Sequence, residues 1–291
     1  MALISIVICL FAERFLGYLQ WLRNYTWFRS YAAHVISAAK SASFLYSKFG
    51  VLIILLPAPL LVAYIDYYLY RYFIPFEFLF GTAILLFSFG PKTFYGRCKA
   101  YCQAQEQHDE ECANWFAEHI LNRNLSENEK AHLPYTVTHA LFIISNERIL
   151  GPIFWFILLG PMGALLYRLA SELHLQSKNQ ADFDKLQKNA ELFFAILNWL
   201  PARCAAFGFA SMGNFLQALS KCRQEGKSFY RLNNHCSEEV MYCAGAGSLN
   251  LPKNADEFKP KDAIEALALI RRNYALWLGA IALLTLGGWL T

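Results

Sequence analysis

The sequence predicts an all-α, polytopic membrane protein, and three observations lead to this fold class. Hydrophobic residues make up 56% of the 291 residues and charged residues only 16%, against about 25% charged residues in soluble globular proteins. The mean hydropathy is positive, at +0.26. Several stretches without charge approach the roughly 20 apolar residues that a spanning helix needs. This composition argues against a soluble enzyme, a disordered chain and a secreted disulfide scaffold.

Six membrane segments are predicted along the chain. In order, they are 2–22, 49–70, 72–91, 149–167, 192–216 and 274–291. The fourth and sixth segments carry no charge, whereas Asp66 interrupts the second and Glu77 the third. The first segment contains Glu13 and Arg14, and the fifth contains Arg203. A segment with an internal charge is a weaker candidate for a span, because each charge opposes insertion into lipid.

The distribution of basic residues orients these segments, because cytoplasmic loops carry an excess of lysine and arginine. The segments 23–48, 92–148 and 217–273 hold most of the 26 basic residues, so we predict that they face the cytoplasm. The chain is interpreted as a single membrane domain over 1–291. Within it, 92–148 is a cytoplasmic helical segment and 217–273 a cytoplasmic segment of helices and loops.

Two patterns predict where helices begin outside the membrane. Ser126 and Glu129 have the spacing of a capping box. We therefore expect a helix from about Glu127 that runs into the fourth membrane segment. Residues 262–272 predict a helix that continues into the last segment.

The fourth membrane segment leaves two arrangements open. Gly160, Pro161 and Gly163 lie in its middle, and glycine with proline can break a helix there. The segment either crosses the membrane or re-enters on one side. Broken helices at membrane depth usually line a polar cavity.

Soluble-enzyme motifs are absent from the sequence, which has no phosphate-binding glycine-rich loop, dinucleotide fingerprint or Gly-x-Ser-x-Gly elbow. The best metal candidates are Cys98, Cys102, His108, Cys112 and His119. On one helix they spread over about six turns, which cannot close a tetrahedral zinc site. We therefore expect no metal site and no cofactor. The net charge of +4 gives no case for a nucleic-acid partner.

Polar and charged side chains in or beside the membrane segments are the main candidates for function. Each charge costs about 2.5–3.5 kcal/mol on insertion scales and tends to face a bundle interior. The candidate ligand-binding residues are Glu13, Arg14, Arg148, Arg168, Asn198 and Arg203. The sharpest candidate is Arg203, because Pro201 frees a backbone carbonyl and can open a polar pocket there.

Two structural interpretations of these charges stay open. The first is ion pairing between helices, for example Glu13 or Asp66 with Arg203. The second is snorkelling, in which Arg14, Arg148 and Arg168 extend from helix ends to the membrane surface.

Several stretches carry a resemblance to a known family. They are Glu13-Arg14-Phe15, Gly151-Pro152-Ile153-Phe154-Trp155-Phe156, Gly160-Pro161-Met162-Gly163 with Arg168, Asn198-Trp199-Leu200-Pro201-Ala202-Arg203, and Gly287-Gly288-Trp289-Leu290. In this order, from end to end, the chain resembles the AmpE family of bacterial inner-membrane proteins. That family is related to the cobalamin-biosynthesis proteins CobD and CbiB. The residues that form the shared structural motifs are Phe154, Trp155, Gly160, Pro161, Gly163, Trp199 and Pro201.

The resemblance implies a multi-pass protein of the bacterial inner membrane that acts as a signalling modulator in β-lactamase induction and cell-wall recycling. The expected partners are membrane lipid, an anionic cell-wall fragment or a nucleotide, and a protein partner or a second copy of the chain. An anionic ligand would meet Arg148 and Arg203. Arg168 could join them only if the fourth segment re-enters.

Departures from the cobalamin branch argue against corrinoid synthesis. Its Ser-Glu-Asn motif falls at 142–144 here, its Asn-Thr-Leu-Asp-Ser motif at 171–175, and its paired aspartates at Phe194 and Ala195. The expected acidic motifs are therefore absent, and we favour a protein without enzymatic activity.

The alternative function is a membrane enzyme that forms amides or phosphate esters with ATP, as in the related branch. Such an enzyme would need replacement carboxylates for Mg²⁺. The best candidates are Asp109, Glu110, Glu111, Glu118 and Glu147. A transporter is a third possibility, which a broken fourth segment and intramembrane charges would fit.

Overall fold

The computed structural model describes residues 2–15, 25–38, 48–89, 94–121, 123–179, 184–224 and 234–288. These residues form helices and connections without any strand, which confirms the all-α class. The helices are α1 (Ala2–Phe15), α2 (Thr26–Ala38), α3 (Lys48–Leu55), α4 (Pro57–Tyr72), α5 (Ile74–Ser88), α6 (Phe94–Glu106), α7 (Glu110–Leu121), α8 (Glu127–Ala131), α9 (Leu133–Ser145), α10 (Gly151–Asn179), α11 (Asp184–Met212), α12 (Phe215–Gln224), α13 (Asn234–Ser248) and α14 (Pro260–Leu286). A π-helical segment, Asn146–Leu150, joins α9 to α10, and a 3-10 turn, Ala255–Glu257, precedes α14.

Three stretches of the described chain are long and apolar enough to cross a membrane, by length and composition: Leu133–Ser177, Leu186–Met212 and Pro260–Leu286. The pair Phe49–Leu55 and Pro57–Tyr72, bent by 47°, makes a fourth. Leu3–Ala12 and Pro75–Ser88 are shorter apolar helices. Each of the six predicted membrane segments thus overlaps an apolar helix, although only three or four have spanning length.

The helix boundaries confirm both predicted helix starts but only one of the two predicted continuations into a membrane segment. Helix α14 is continuous from Pro260 to Leu286, so the predicted helix over 262–272 does continue into the last segment. The Ser126 N–H donates to Glu129 Oε2 at 3.0 Å, as the predicted capping box requires. Helix α8, however, ends at Ala131, and α9 starts anew at Leu133 with a proline in its first turn.

The apolar stretch that contains the fourth predicted segment begins at Leu133 rather than at residue 149. Residues 133–145 carry no lysine, arginine or carboxylate, so they extend the apolar helix into the range 92–148. At 1.5 Å per residue, a straight helix over Leu133–Ser177 would be about 68 Å long. A bilayer core is only about 30 Å thick, so this length requires a bend.

Helix α10 folds back on itself at Gly160. This glycine has φ 66° and ψ −156°, a backbone region that essentially only glycine adopts. Pro161 follows and has no N–H to continue the helical ladder. The break divides α10 into a first arm, 151–159, and a second arm, 161–179.

The two arms of α10 touch along their length. A methyl group at Gly163 would overlap the backbone oxygen of Trp155, and one at Gly151 would overlap the Tyr167 ring. Along a straight helix these pairs would be about 12 Å and 24 Å apart. Helix α10 is therefore an antiparallel helical hairpin, as the re-entrant alternative requires, and small residues let its arms approach closely.

Three clusters of buried side chains hold the described helices together. The first lies mainly among α6, α7, α9, the second half of α11, α13 and the start of α14. In it, the rings of Phe142 and Phe209 meet edge to face, 5.3 Å apart. The second joins α2, α3 and α4 to the second arm of α10 and the start of α11. The third joins α1 and α5 to the hairpin and the end of α14. Because α10, α11 and α14 each enter two clusters, they connect the whole assembly.

We predict that Gly163→Ala destabilises the protein by about 1–3 kcal/mol, because the Trp155 backbone has to move to admit the methyl group. The matched control is Gly279→Ala, which lies in α14 with no atom within 4 Å of the added carbon. The control should be neutral or stabilising by up to about 1 kcal/mol, since alanine favours a helix over glycine. Thermal unfolding of the detergent-solubilised protein measures both shifts. Equal shifts for the two variants would contradict the hairpin packing.

Candidate functional site

A polar cavity of about 500 Å³ lies among α9, the π-helical segment, the second arm of α10 and α13. We call it the first cavity. Its titratable lining side chains are Arg123, Glu129, His139, Glu147, Arg148, Arg168, Glu172, His174 and Glu238. Both signs of charge therefore face one space, which makes it the main candidate for a binding site among the described residues.

The π-helical segment supplies one side of the first cavity. Its wide turn closes when the Gly151 N–H donates to the carbonyl of Asn146, five residues earlier. Such single π turns occur frequently at functional sites. Here the segment carries Glu147 and Arg148 to the cavity. Arg148 also donates to the Ile120 carbonyl at 3.0 Å, which ties its guanidinium to the end of α7.

The second arm of α10 supplies the opposite charges. Arg168 is only 5% exposed and donates to Glu172, one turn further along the helix. Glu172 also accepts from Arg29 of α2 at 3.2 Å. The Arg168 guanidinium lies 4.8 Å from the Tyr25 ring centroid. These contacts fix the orientation of Arg168 and compensate the buried carboxylate with two cations.

A chain of buried amides connects the first cavity to the helices around it. Asn198 of α11 accepts from Asn146 Nδ2 at 2.8 Å and from the Tyr167 hydroxyl at 2.9 Å. It donates to Asn234 Oδ1 at 3.2 Å, and Asn234 donates to Glu238 at 2.8 Å. Four helical elements thus meet at one fully buried side chain, and Glu238 brings the chain of amides to the cavity wall.

The hairpin brings together two of the residues predicted to bind ligand. Arg148 and Arg168 both line the first cavity, and Asn198 supports it through the amide chain. The side chains of Glu13 and Arg14 lie outside the described residues.

Arg203 lies away from the first cavity. It donates to Ser237 Oγ at 2.6 Å and to the Trp199 carbonyl at 3.1 Å. Its guanidinium also lies 4.8 Å from the Trp199 ring centroid. Asp66, one of its suggested partners, is beside the hairpin turn, with Oδ2 4.0 Å from the position of a methyl group at Gly160.

Of the replacement carboxylates considered for Mg²⁺, only Glu147 lines the first cavity. Asp109 and Glu110 line a separate depression, and Glu118 accepts from the Leu125 N–H at 3.3 Å. Cys102 is packed in the first core cluster, where burial raises the pKa of its thiol to about 11. Within the described chain, no three His, Cys, Asp or Glu side chains are arranged to hold a metal ion.

Sequence reasoning missed six charged or histidine residues of the first cavity as site residues. They are Arg123, Glu129, His139, Glu172, His174 and Glu238. The spacing of Arg168, Glu172 and Leu175, three and four residues apart, puts them on one helix face and could have indicated Glu172. Glu238 has no such signal, because it reaches the cavity only through the packing of α13 on α11.

We predict that Asn198→Ala destabilises the protein by about 3 kcal/mol or more. The change leaves buried groups of Asn146, Tyr167 and Asn234 without their partner, at about 1–3 kcal/mol each. The exposed Asn128→Ala in α8 is the control and should change stability by less than about 0.5 kcal/mol. Thermal unfolding in detergent compares them. A loss as small as that of the control would show that the amide chain does not hold the helices together.

A second prediction concerns the rim of the first cavity, where Arg123 donates twice to Glu129. These bonds lower the pKa of the Glu129 carboxyl from 4.5 to about 2. The stabilisation is therefore fully present above pH 4.5 and lost as the pH falls towards about 2. For a largely exposed pair it amounts to about 0.2–1 kcal/mol.

The measurement for this pair is the unfolding midpoint of wild type and Glu129→Gln as a function of pH. Wild type should be the more stable protein near neutral pH, and the difference should vanish in acid. A difference that stays constant down to about pH 2 would mean that the carboxylate charge contributes nothing.

Comparison with known proteins identifies the family. The family model described as CobD/Cbib protein matches residues 6–255. The chain is 26% identical to the cobalamin biosynthesis protein CobD of Chromobacterium violaceum over 177 residues, which are 60% of this chain and 55% of that protein. It is 26% identical to CobD of Stutzerimonas stutzeri over 169 residues, 58% of this chain and 54% of the relative. It is 22% identical to the probable CobD of Methanocaldococcus jannaschii over 259 residues, 82% and 84% of the two chains.

The chain spans about half the length of the first two of these relatives. No solved structure matches it. The family match covers most of the chain, from the first apolar helix to the connection before α14. The chain therefore belongs to the CobD/CbiB family, the wider family to which the sequence motifs pointed.

Proposed function

We propose that the first cavity binds an anionic ligand and that this binding serves signalling in β-lactamase induction and cell-wall recycling, as in the AmpE branch. One observation carries the proposal. Arg148 and Arg168, which a straight helix would hold roughly 30 Å apart, both line the same cavity because α10 turns back at Gly160. A guanidinium stays charged at any physiological pH and can grip a carboxylate or phosphate with two parallel hydrogen bonds.

The carboxylates of the first cavity do not exclude an anion. Glu172 is paired with Arg29 and Arg168, and Glu129 is paired with Arg123, so two of the negative charges are compensated by their neighbours. Arg168 Nε is buried and has no hydrogen-bond acceptor among the residues that the structure describes. A buried donor of this kind is costly to leave unsatisfied, and an oxygen of an anionic ligand would satisfy it.

The residues at the positions of the cobalamin-branch motifs also support binding over corrinoid synthesis. Phe142 and Phe194 are buried in hydrophobic clusters, and Ala195 is also buried, so none of them offers a ligand to a metal or nucleotide. Within 171–175, Glu172 is a carboxylate, but it is held between two arginines. A scaffold can keep the helix-packing motifs of its family and lose the family's chemistry.

The second candidate function is a membrane enzyme with ATP-dependent amide or phosphate-ester formation. Two observations favour it: the curated relatives are named cobalamin biosynthesis proteins, and Glu147 lies beside Arg148 in the same cavity as Glu238. Mg²⁺-dependent ATP turnover by the purified protein, abolished by Glu147→Gln, would favour the enzyme. Ligand binding without turnover would favour the modulator.

We predict that Arg148→Gln abolishes β-lactamase induction while the protein level in the membrane stays normal. Loss of a hydrogen bond to a charged group costs about 1.5–3 kcal/mol, which is roughly a ten- to hundredfold loss of ligand affinity. Arg148→Lys should also impair induction, because an ammonium cannot reproduce the planar, two-point contact.

The matched control is Arg272→Gln, which removes an exposed arginine from α14 outside the cavity. Induction is measured in cells together with the membrane level of each variant. Normal induction by Arg148→Gln at the wild-type level would remove this arginine from the proposed site.

A further inference from the structure

A second polar cavity, of about 520 Å³, adjoins the first. Tyr135 and His139 of α9 line both cavities. The second cavity opens at the exposed side chains of Gln224 and Lys253 and reaches inward to Tyr242. The two spaces are therefore neighbours that share the same pair of rings.

The rings between the cavities belong to a packed aromatic group. The His139 and Tyr242 ring centroids lie 4.5 Å apart, those of Tyr135 and Tyr242 5.9 Å, and those of Tyr135 and Phe258 5.1 Å. These side chains come from α9, α13 and the connection before α14, so three separate elements hold them in position. Rigid aromatic surfaces of this kind suit the face of a ring-shaped ligand, and a few polar groups around them fix its orientation.

The second cavity carries its own cations. Lys221 of α12 lies with Nζ 5.6 Å from the Tyr242 ring centroid, and Lys253 comes from the connection after α13. Glu239 supplies the carboxylate of this cavity and accepts from His235 Nδ1 at 3.3 Å. The two ammonium groups of the second cavity thus complement Arg148 and Arg168 of the first.

We propose that the two cavities form one bipartite site for a sugar-containing ligand with an anionic group at each end. One anionic group lies with Arg148 and Arg168 and the other with Lys221 and Lys253, while the sugar ring packs at Tyr135 and His139. This inference rests on the proposed function, because the first cavity is one half of the site. Two linked anionic groups bind more tightly than either alone, since the second contact becomes intramolecular.

The experiment compares UDP-glucuronic acid with UDP-glucose and UDP on the full-length protein in detergent or nanodiscs, by calorimetric titration. UDP-glucuronic acid carries a diphosphate on C1 and a carboxylate on C5 of its pyranose ring, whereas UDP-glucose has a neutral hydroxymethyl group on C5. We expect UDP-glucuronic acid to bind about tenfold more tightly than UDP-glucose, as for one added charge-assisted contact.

The variants are Arg148→Gln for the first cavity and the double variant Lys221→Gln/Lys253→Gln for the second. Both should lower the affinity for UDP-glucuronic acid by about tenfold, because each removes the partner of one anionic end. UDP-glucose has a single anionic end and should respond to only one of them. Lys261→Gln, an exposed lysine of α14 outside both cavities, is the control. The single variant Lys253→Gln changes only an exposed side chain, so it keeps the test valid if the double variant does not fold.

The outcomes separate this inference from the proposed function. If the affinity for UDP-glucuronic acid falls with Arg148→Gln but not with loss of the lysines, the proposal of a bipartite site is wrong and the anion site of the first cavity stands. Binding of UDP as tight as that of UDP-glucuronic acid would also overturn the bipartite site, since neither the sugar nor the second anion would then contribute. If none of the three probes binds, or if binding is insensitive to every variant, both proposals fail.

Discussion

The contact between the two arms of α10 is the interaction on which the polar cavity depends. At Gly151 and Gly163 the absence of a side chain lets the Tyr167 ring and the Trp155 backbone come close. Between these contacts, Gly160 adopts a conformation that other residues avoid. If the arms were apart, Arg168 would lie far from the π-helical segment, and the cavity would lose one of its charged walls.

The hairpin depends in turn on buried polar groups that satisfy one another. Trp155 Nε1 donates to the Leu197 carbonyl at 3.0 Å, which anchors the first arm to α11. The next residue, Asn198, joins the π-helical segment, the second arm and α13 through three hydrogen bonds. In an apolar surrounding such bonds are strong, and each unmade one is costly. The same network therefore specifies the helix arrangement and supports the cavity wall.

Much of the helical architecture could be predicted from hydropathy, because uncharged stretches of membrane length are a direct signal. The break at Gly160–Pro161 was also visible, although only the contact of Gly151 with Tyr167 shows that the helix turns back there. The early start of the fourth apolar stretch was missed, since His139 and the threonines before it dilute the hydropathy there.

The candidate site was only partly predictable, for a physical reason. Charge in an apolar segment marks Arg148 and Arg168, since such charges are costly unless they have a partner or a cavity. Arg203 gives the same signal, yet its guanidinium is used in contacts with Ser237 and the Trp199 ring. Glu238 belongs to an ordinary polar helix by sequence, and only the packing of α13 against α11 makes it part of the cavity.

The π turn at Asn146–Leu150 makes the geometry of the cavity depend on the number of residues in this helix, and not only on their identity. A π turn holds one residue more than an α-helical turn. The wide turn accommodates this extra residue and keeps the helix on either side nearly in phase, so deleting one residue there would restore a regular turn without turning Gly151 away from Tyr167. Glu147 and Arg148 would lose the positions that the wide turn gives them in the cavity wall. The reading frame of this helix, counted in single residues, is thus as much a part of the site as the arginines that it presents.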